Sequence, residues 1–95
     1  MSEKPVLRVI AYDIASDHRR RRVAGVLEEK AVRVQESVFE ARLTHRQARQ
    51  LMARLGRLTA SEDSIRLYTV PDSMLQHCRE QGGPAMAGAG RYWLL

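Results

Sequence analysis

Cysteine occurs once in the 95 residues, at Cys78, which excludes an internal disulfide and a thiolate zinc site and points to a reducing compartment. Lysine is nearly missing as well, with Lys4 and Lys30 the only two, so arginine supplies almost all of the 16 basic residues. Aromatic side chains are confined to Tyr12, Phe39, Tyr68, Tyr92 and Trp93, too few and too scattered for a sheet that stacks single-stranded bases. No apolar run approaches the ~20 residues of a membrane span, and the N-terminal stretch has no secretory-signal pattern. The expectation is therefore a soluble, cytoplasmic domain with no membrane contact. No internal repeat and no glycine-rich phosphate loop is present.

What the chain has is positive charge: 16 Lys+Arg against 11 Asp+Glu give a formal +5. The length supports one domain with one core. Hydrophobic residues at 44% and charged residues at 28% are ordinary globular values and argue against a disordered chain. Guanidinium groups match phosphate geometry bidentately and stay charged, so the excess suits an anionic partner. An arginine-rich solvated surface explains the same number, and composition alone leaves both open.

Val6 to Asp13 (VLRVIAYD) reads as a buried strand. Ser16 or Asp17 supplies an N-cap for a helix over 17–30, whose Val23, Val26 and Leu27 form a core stripe. Asp17 is expected to be spent on that cap. Four arginines crowd the first turns, where the macrodipole disfavours cations by up to ~1 kcal/mol, so an anion is expected nearby. Arg33 to Glu40 alternates as a second strand, with Val34 and Val38 on one side and Arg33, Gln35, Ser37 and Phe39 on the other. A short strand through Leu43 follows. Thr44 and Gln47 form a capping box for a second helix. Ala48, Leu51, Met52, Leu55 and Leu58 line its core face, and Arg46, Arg49, Arg54 and Arg57 its outer face. Ser64 to Val70 is another strand, stopped by Pro71.

The order is βαββαβ, an α+β ferredoxin-like fold with both helices on one sheet face and the other face left open. Residues 1–80 make this domain. Residues 81–95 form a small-residue connector, Gln81 to Gly90, and an apolar strand-like end, Arg91 to Leu95, able to pair with its own sheet or a neighbour's.

Asp13 ends the first strand, where side chains project into a loop crevice. One carboxylate is thin for Mg²⁺, whereas two copies of Asp13 across a two-fold axis make a credible site. Asp13 as a plain turn residue stands beside that reading. The Arg19 to Arg22 run next to it has the parts for phosphate binding and metal-assisted phosphodiester hydrolysis, or else for a solvated basic face partly neutralised by Glu28 and Glu29. His18, His45 and His77 have no metal-ligand spacing.

Tyr12-Asp13-Ile14, Asp17, Arg20-x-Arg22-Val23 and Arg33-Val34-Gln35-x-Ser37-Val38-Phe39-Glu40 together resemble the signature of the CRISPR-associated protein 2 family. Asp63 to Tyr68 resembles that family's fourth strand, so the likeness covers about residues 7–70. It implies a ferredoxin-like homodimer joined through the sheet faces, with C-terminal strands crossing between protomers. It implies one Mg²⁺ or Mn²⁺ ion shared by Asp13 of both protomers, and endonuclease activity on RNA or DNA. It further implies binding of duplex protospacer DNA and bridging of the partner integrase during spacer acquisition. Carried over by position, Tyr12, Arg20, Arg22, Arg33 and Phe39 join Asp13 at the nuclease site, while Arg19 and Arg21 are neighbours in the run. In a scaffold without catalysis, Arg46, Arg49, Arg54 and Arg57 grip the duplex backbone with Arg20 and Arg22, while Tyr92, Trp93 and Leu94 meet the integrase. A stand-alone toxin-type ribonuclease is a third reading. The family's usual glycine between the first helix and the second strand is replaced by Ala31, which bears on that turn's geometry.

Overall fold

A computed structural model describes residues 3–85. The chain runs β1 (Val6–Asp13), α1 (Asp17–Glu28), β2 (Val32–Gln35), β3 (Val38–Leu43), α2 (His45–Gly56) and β4 (Ser64–Val70), followed by a 3₁₀ helix over Asp72–His77. The strands form one antiparallel sheet in the order β2-β3-β1-β4, the ferredoxin-like arrangement. The Tyr92, Trp93 and Leu94 assignment and the C-terminal strand lie outside the described residues.

Alternation along β1 sorts its side chains. Arg8, Ile10 and Tyr12 point to the helix layer and are buried, while Val9, Ala11 and Asp13 face the open side. Phe39, Ala41 and Leu43 of β3 enter the same core, where Val23, Leu27, Leu51 and Leu55 from the helices meet them. Phe39 is fully buried and contributes about 1.5–3 kcal/mol through burial alone.

Three local expectations need correction. The 33–40 stretch is not one strand: Glu36 and Ser37 form a turn, and β2 pairs back on β3 with Arg33 opposite Phe39. The turn is stabilised from outside, by the Tyr12 N–H to the Ser37 carbonyl at 3.1 Å. Helix α1 ends at Glu28, and Ser16 alone caps its start by accepting from the Arg19 N–H at 3.2 Å. Asp17 instead pairs with Arg20 one turn on. At the Ala31 turn no left-handed residue is used, since among the described residues only Gly82 and Gly83 have positive φ.

The open face is not bare at one end. Leu75 of the 3₁₀ helix is buried against Leu7, with Val70 and Cys78 beside them. The chain then returns across the sheet, so that Arg79 to Gly82 lie against Val34, Gln35 and Glu40. Tyr68 stays half exposed on this face, opposite Val9.

Candidate functional site

The end of β1, the start of α1 and the β2–β3 turn enclose a hollow of about 560 Å³. Tyr12, Asp13, Arg20, Arg21 and Arg33 line it, and Glu36 and Ser37 close it from the turn. Five residues singled out in the sequence therefore meet in one place. Glu36 and Ser37 were missed as lining residues because the turn that carries them was read as strand.

Asp13 is exposed at the lip, with no ion pair among the described residues. Tyr12 is buried beneath it and donates its hydroxyl to the Glu36 carbonyl at 3.3 Å, tying the turn to the strand end. Phe39 does not reach the hollow. Its ring centroid lies 6.2 Å from that of Tyr12, and the Arg33 guanidinium stands 5.1 Å from the same centroid as a cation–π contact. Phe39 thus sets the height of both Tyr12 and Arg33.

The four consecutive arginines divide. Arg19 turns away to Asp63, bonding it through Nε at 2.7 Å and Nη2 at 3.2 Å. That contact, together with the Ala60 N–H, holds the Asp63 carboxyl below the usual aspartate range and the Arg19 guanidinium above its own. Arg20 folds back over the loop, donating to the Ile14 carbonyl at 2.8 Å and pairing with Asp17. Arg21 lines the hollow with no ion pair among the described residues. Arg22 is exposed and does not line it. Arg33 reaches Glu28 only loosely, at 3.7 Å.

On α2, Arg46 and Arg49 are exposed and outside every ion pair among the described residues, side by side along a shallow surface with Gln50. Arg54 is engaged bidentately by Glu29 at 3.0 and 3.1 Å, and this hydrogen-bonded pairing raises the guanidinium pKa above its ordinary value and holds the carboxyl below its own. Arg57 follows as the exposed C-cap. Among the described residues, the arginines of this helix outside any ion pair are therefore Arg46 and Arg49 in its N-terminal half, with Arg57 just past its end.

A family model described as CRISPR associated protein Cas2 matches residues 6–78. The chain is 41% identical over 81 residues to the CRISPR-associated endoribonuclease Cas2 3 of Synechocystis, covering 84% of this chain and 88% of that protein. It superposes on Streptococcus pyogenes Cas2 with a TM-score of 0.68 at 27% identity, over 80% of this chain and 99% of that one. A chain of a partial Cas6-RT-Cas1–Cas2 complex matches with a TM-score of 0.70 and 27% identity, over 83% and 88% of the two chains.

Proposed function

Because the chain belongs to the CRISPR associated protein Cas2 family, we propose that it acts as a homodimer that binds nucleic-acid backbone and hydrolyses phosphodiester bonds. The observation that carries this reading is the free Asp13 carboxylate at the lip of a hollow lined by three arginines.

Among the described residues no three potential ligands cluster, and of the two carboxylates that line the hollow, Asp13 and Glu36, Asp13 stands at the strand end on the open side of the sheet. Pairing two chains through their open sheet faces brings two such carboxylates to one ion, which suits the one or two that Mg²⁺ takes beside water and phosphate oxygens. When bound, Mg²⁺ or Mn²⁺ supplies charge neutralisation and a more acidic water. Arg21 and Arg33 grip the phosphate, and their planar forks fix its orientation. Arg20 and the Tyr12–Glu36 contact hold the two loops that carry the site at a set distance. The relatives named as endoribonucleases support RNA as a substrate.

Single-stranded RNA and duplex DNA incubated with Mg²⁺ or Mn²⁺ test the reading. Cleavage is expected to stop with chelator and to fall about a hundredfold or more in Asp13→Asn, the scale of losing one charged transition-state contact. Cleavage by Asp13→Asn at the wild-type rate overturns it.

A scaffold role is favoured by a separate observation, the unpaired Arg46 and Arg49 on the outer face of α2. Duplex DNA held there by its backbone, with the dimer bridging an integrase as the Cas1–Cas2 assembly suggests, requires no cleavage. Its affinity for duplex is expected to fall steeply with salt.

A further inference from the structure

Arg8 is the one charged residue buried in the core among the described residues, at 7% exposure. It stands on the helix side of β1, where strand alternation otherwise places Ile10 and Tyr12. Its guanidinium donates through Nε to the Leu43 carbonyl at 3.1 Å and through Nη1 to the Thr69 hydroxyl at 2.7 Å. Both acceptors are neutral, and Arg8 enters none of the ion pairs. An arginine has five N–H donors, so most of this fork is left over. Nη2, the nitrogen outside these two bonds, is not among the buried atoms without a partner, so it stays open to solvent where Arg8 lines a hollow and can meet an arriving anion.

The surroundings are built for one. Arg8, His45, Arg49 and Thr69 line a second hollow, of about 270 Å³, between the β4 edge and the first turns of α2. Ala48, Met52 and Leu67 form its apolar floor, and no carboxylate lines it. The acid at this end of α2 is Glu3, which accepts from the Arg46 N–H at 3.1 Å and is not among the lining residues. Thr69 is the cross-strand partner of Arg8, so the sheet register itself fixes the hydroxyl beside the guanidinium. Arg49 is shared between this hollow and the exposed Arg46–Arg49 surface.

We infer that Arg8, Thr69, Arg49 and His45 form a phosphate-binding site, with Arg8 as its buried anchor. The inference rests in part on the nucleic-acid reading: in that setting the occupant is a backbone phosphate of a strand lying along the N-terminal half of α2. A free phosphate ion offers the same chemistry, and the test separates the two.

Wild type, Arg8→Met, Thr69→Val and Arg49→Ala are titrated with labelled 30-base-pair duplex DNA at several salt concentrations, and separately with inorganic phosphate during thermal melting. Arg8→Met is expected to lose about ten- to a hundredfold in duplex affinity and to shallow the salt slope by ~1. Inorganic phosphate is expected to raise the melting temperature of wild type but not of Arg8→Met. Stabilisation by phosphate without any duplex binding keeps the site and refutes the nucleic-acid reading. Duplex binding with unchanged affinity and salt slope in a folded Arg8→Met, and equal phosphate stabilisation, refutes the site. Should Arg8→Met fail to fold, Thr69→Val and Arg49→Ala decide: both unchanged in duplex affinity and phosphate response refutes the site.

Discussion

Arg19, Arg20, Arg21 and Arg22 are adjacent in sequence, yet their electrostatic surroundings make them four different residues. Arg19 is committed to Asp63, whose side chain has no exposed area and also accepts from the Ala60 N–H at 2.8 Å. The pair fastens the start of α1 to the turn before β4. Because the Asp63 carboxyl is held below its unfolded value, this stabilisation is complete above the ordinary aspartate pKa of ~3.9 and is lost as pH falls through the lower folded value. Thermal melting followed from pH 7 to pH 2 is therefore expected to show a drop below about pH 4 that is shallower in Asp63→Asn, which already melts lower at pH 7. Arg21→Ala, which breaks no ion pair among the described residues, is expected to stay within ~0.5 kcal/mol of wild type while weakening nucleic-acid binding. An unchanged acid limb in Asp63→Asn would assign the anchoring elsewhere.

Among the elements, α2 was the plainest in the sequence because its signals are local. The Thr44 hydroxyl accepts from the Gln47 N–H at 3.1 Å, and the Gln47 side chain accepts from the Thr44 N–H at 2.9 Å. Thr44→Ala is expected to cost ~1 kcal/mol in urea unfolding with an unchanged slope. The β2–β3 hairpin was opaque for the opposite reason. Its turn, Glu36-Ser37, has none of the glycine, asparagine or proline that mark such turns, and a register shift between Arg33 and Gln35 breaks the alternation. Its conformation is imposed by Tyr12, which lies 24 residues from Glu36. Arg33 and Phe39 do share a face, as an even spacing in one strand suggests, but they do so as cross-strand partners. Asp13 and the arginine run that holds Arg20 are legible from order and spacing, and Tyr12 and Arg33 only through the resemblance to the family signature. Arg8 is legible through neither, because its role depends on Leu43 and Thr69, distant residues that only the sheet register brings to it.

For the molecule as a whole, charge and apolar surface meet on one side of the sheet. Asp13 lies on the open side of the sheet, and the middle of that side is formed by Val9, Ala11, Val38 and the half-exposed Tyr68, with Glu40 and Arg66 as the cross-strand partners of Val9 and Ala11. In the proposed homodimer, two such faces in contact would bury apolar area, bring the two Asp13 carboxylates together, and double the +5 of one chain to +10. That proposal couples dimerisation to ion binding: the two carboxylates would repel one another without a cation, and the cation would lack ligands without the second chain. Tyr68→Glu separates the two requirements, since Tyr68 does not line the Arg21–Arg33 hollow and already tolerates solvent in one chain. The variant is expected to fold with a melting temperature near wild type at low concentration, to sediment as a monomer, and to lose Mn²⁺ binding by calorimetry although Asp13 is intact. Wild type is expected to dimerise more tightly as Mn²⁺ is added, by the same factor that dimerisation tightens Mn²⁺. A Tyr68→Glu protein that remains a dimer would place the interface elsewhere, and a monomer that binds Mn²⁺ as tightly as wild type would remove the second Asp13 from the site.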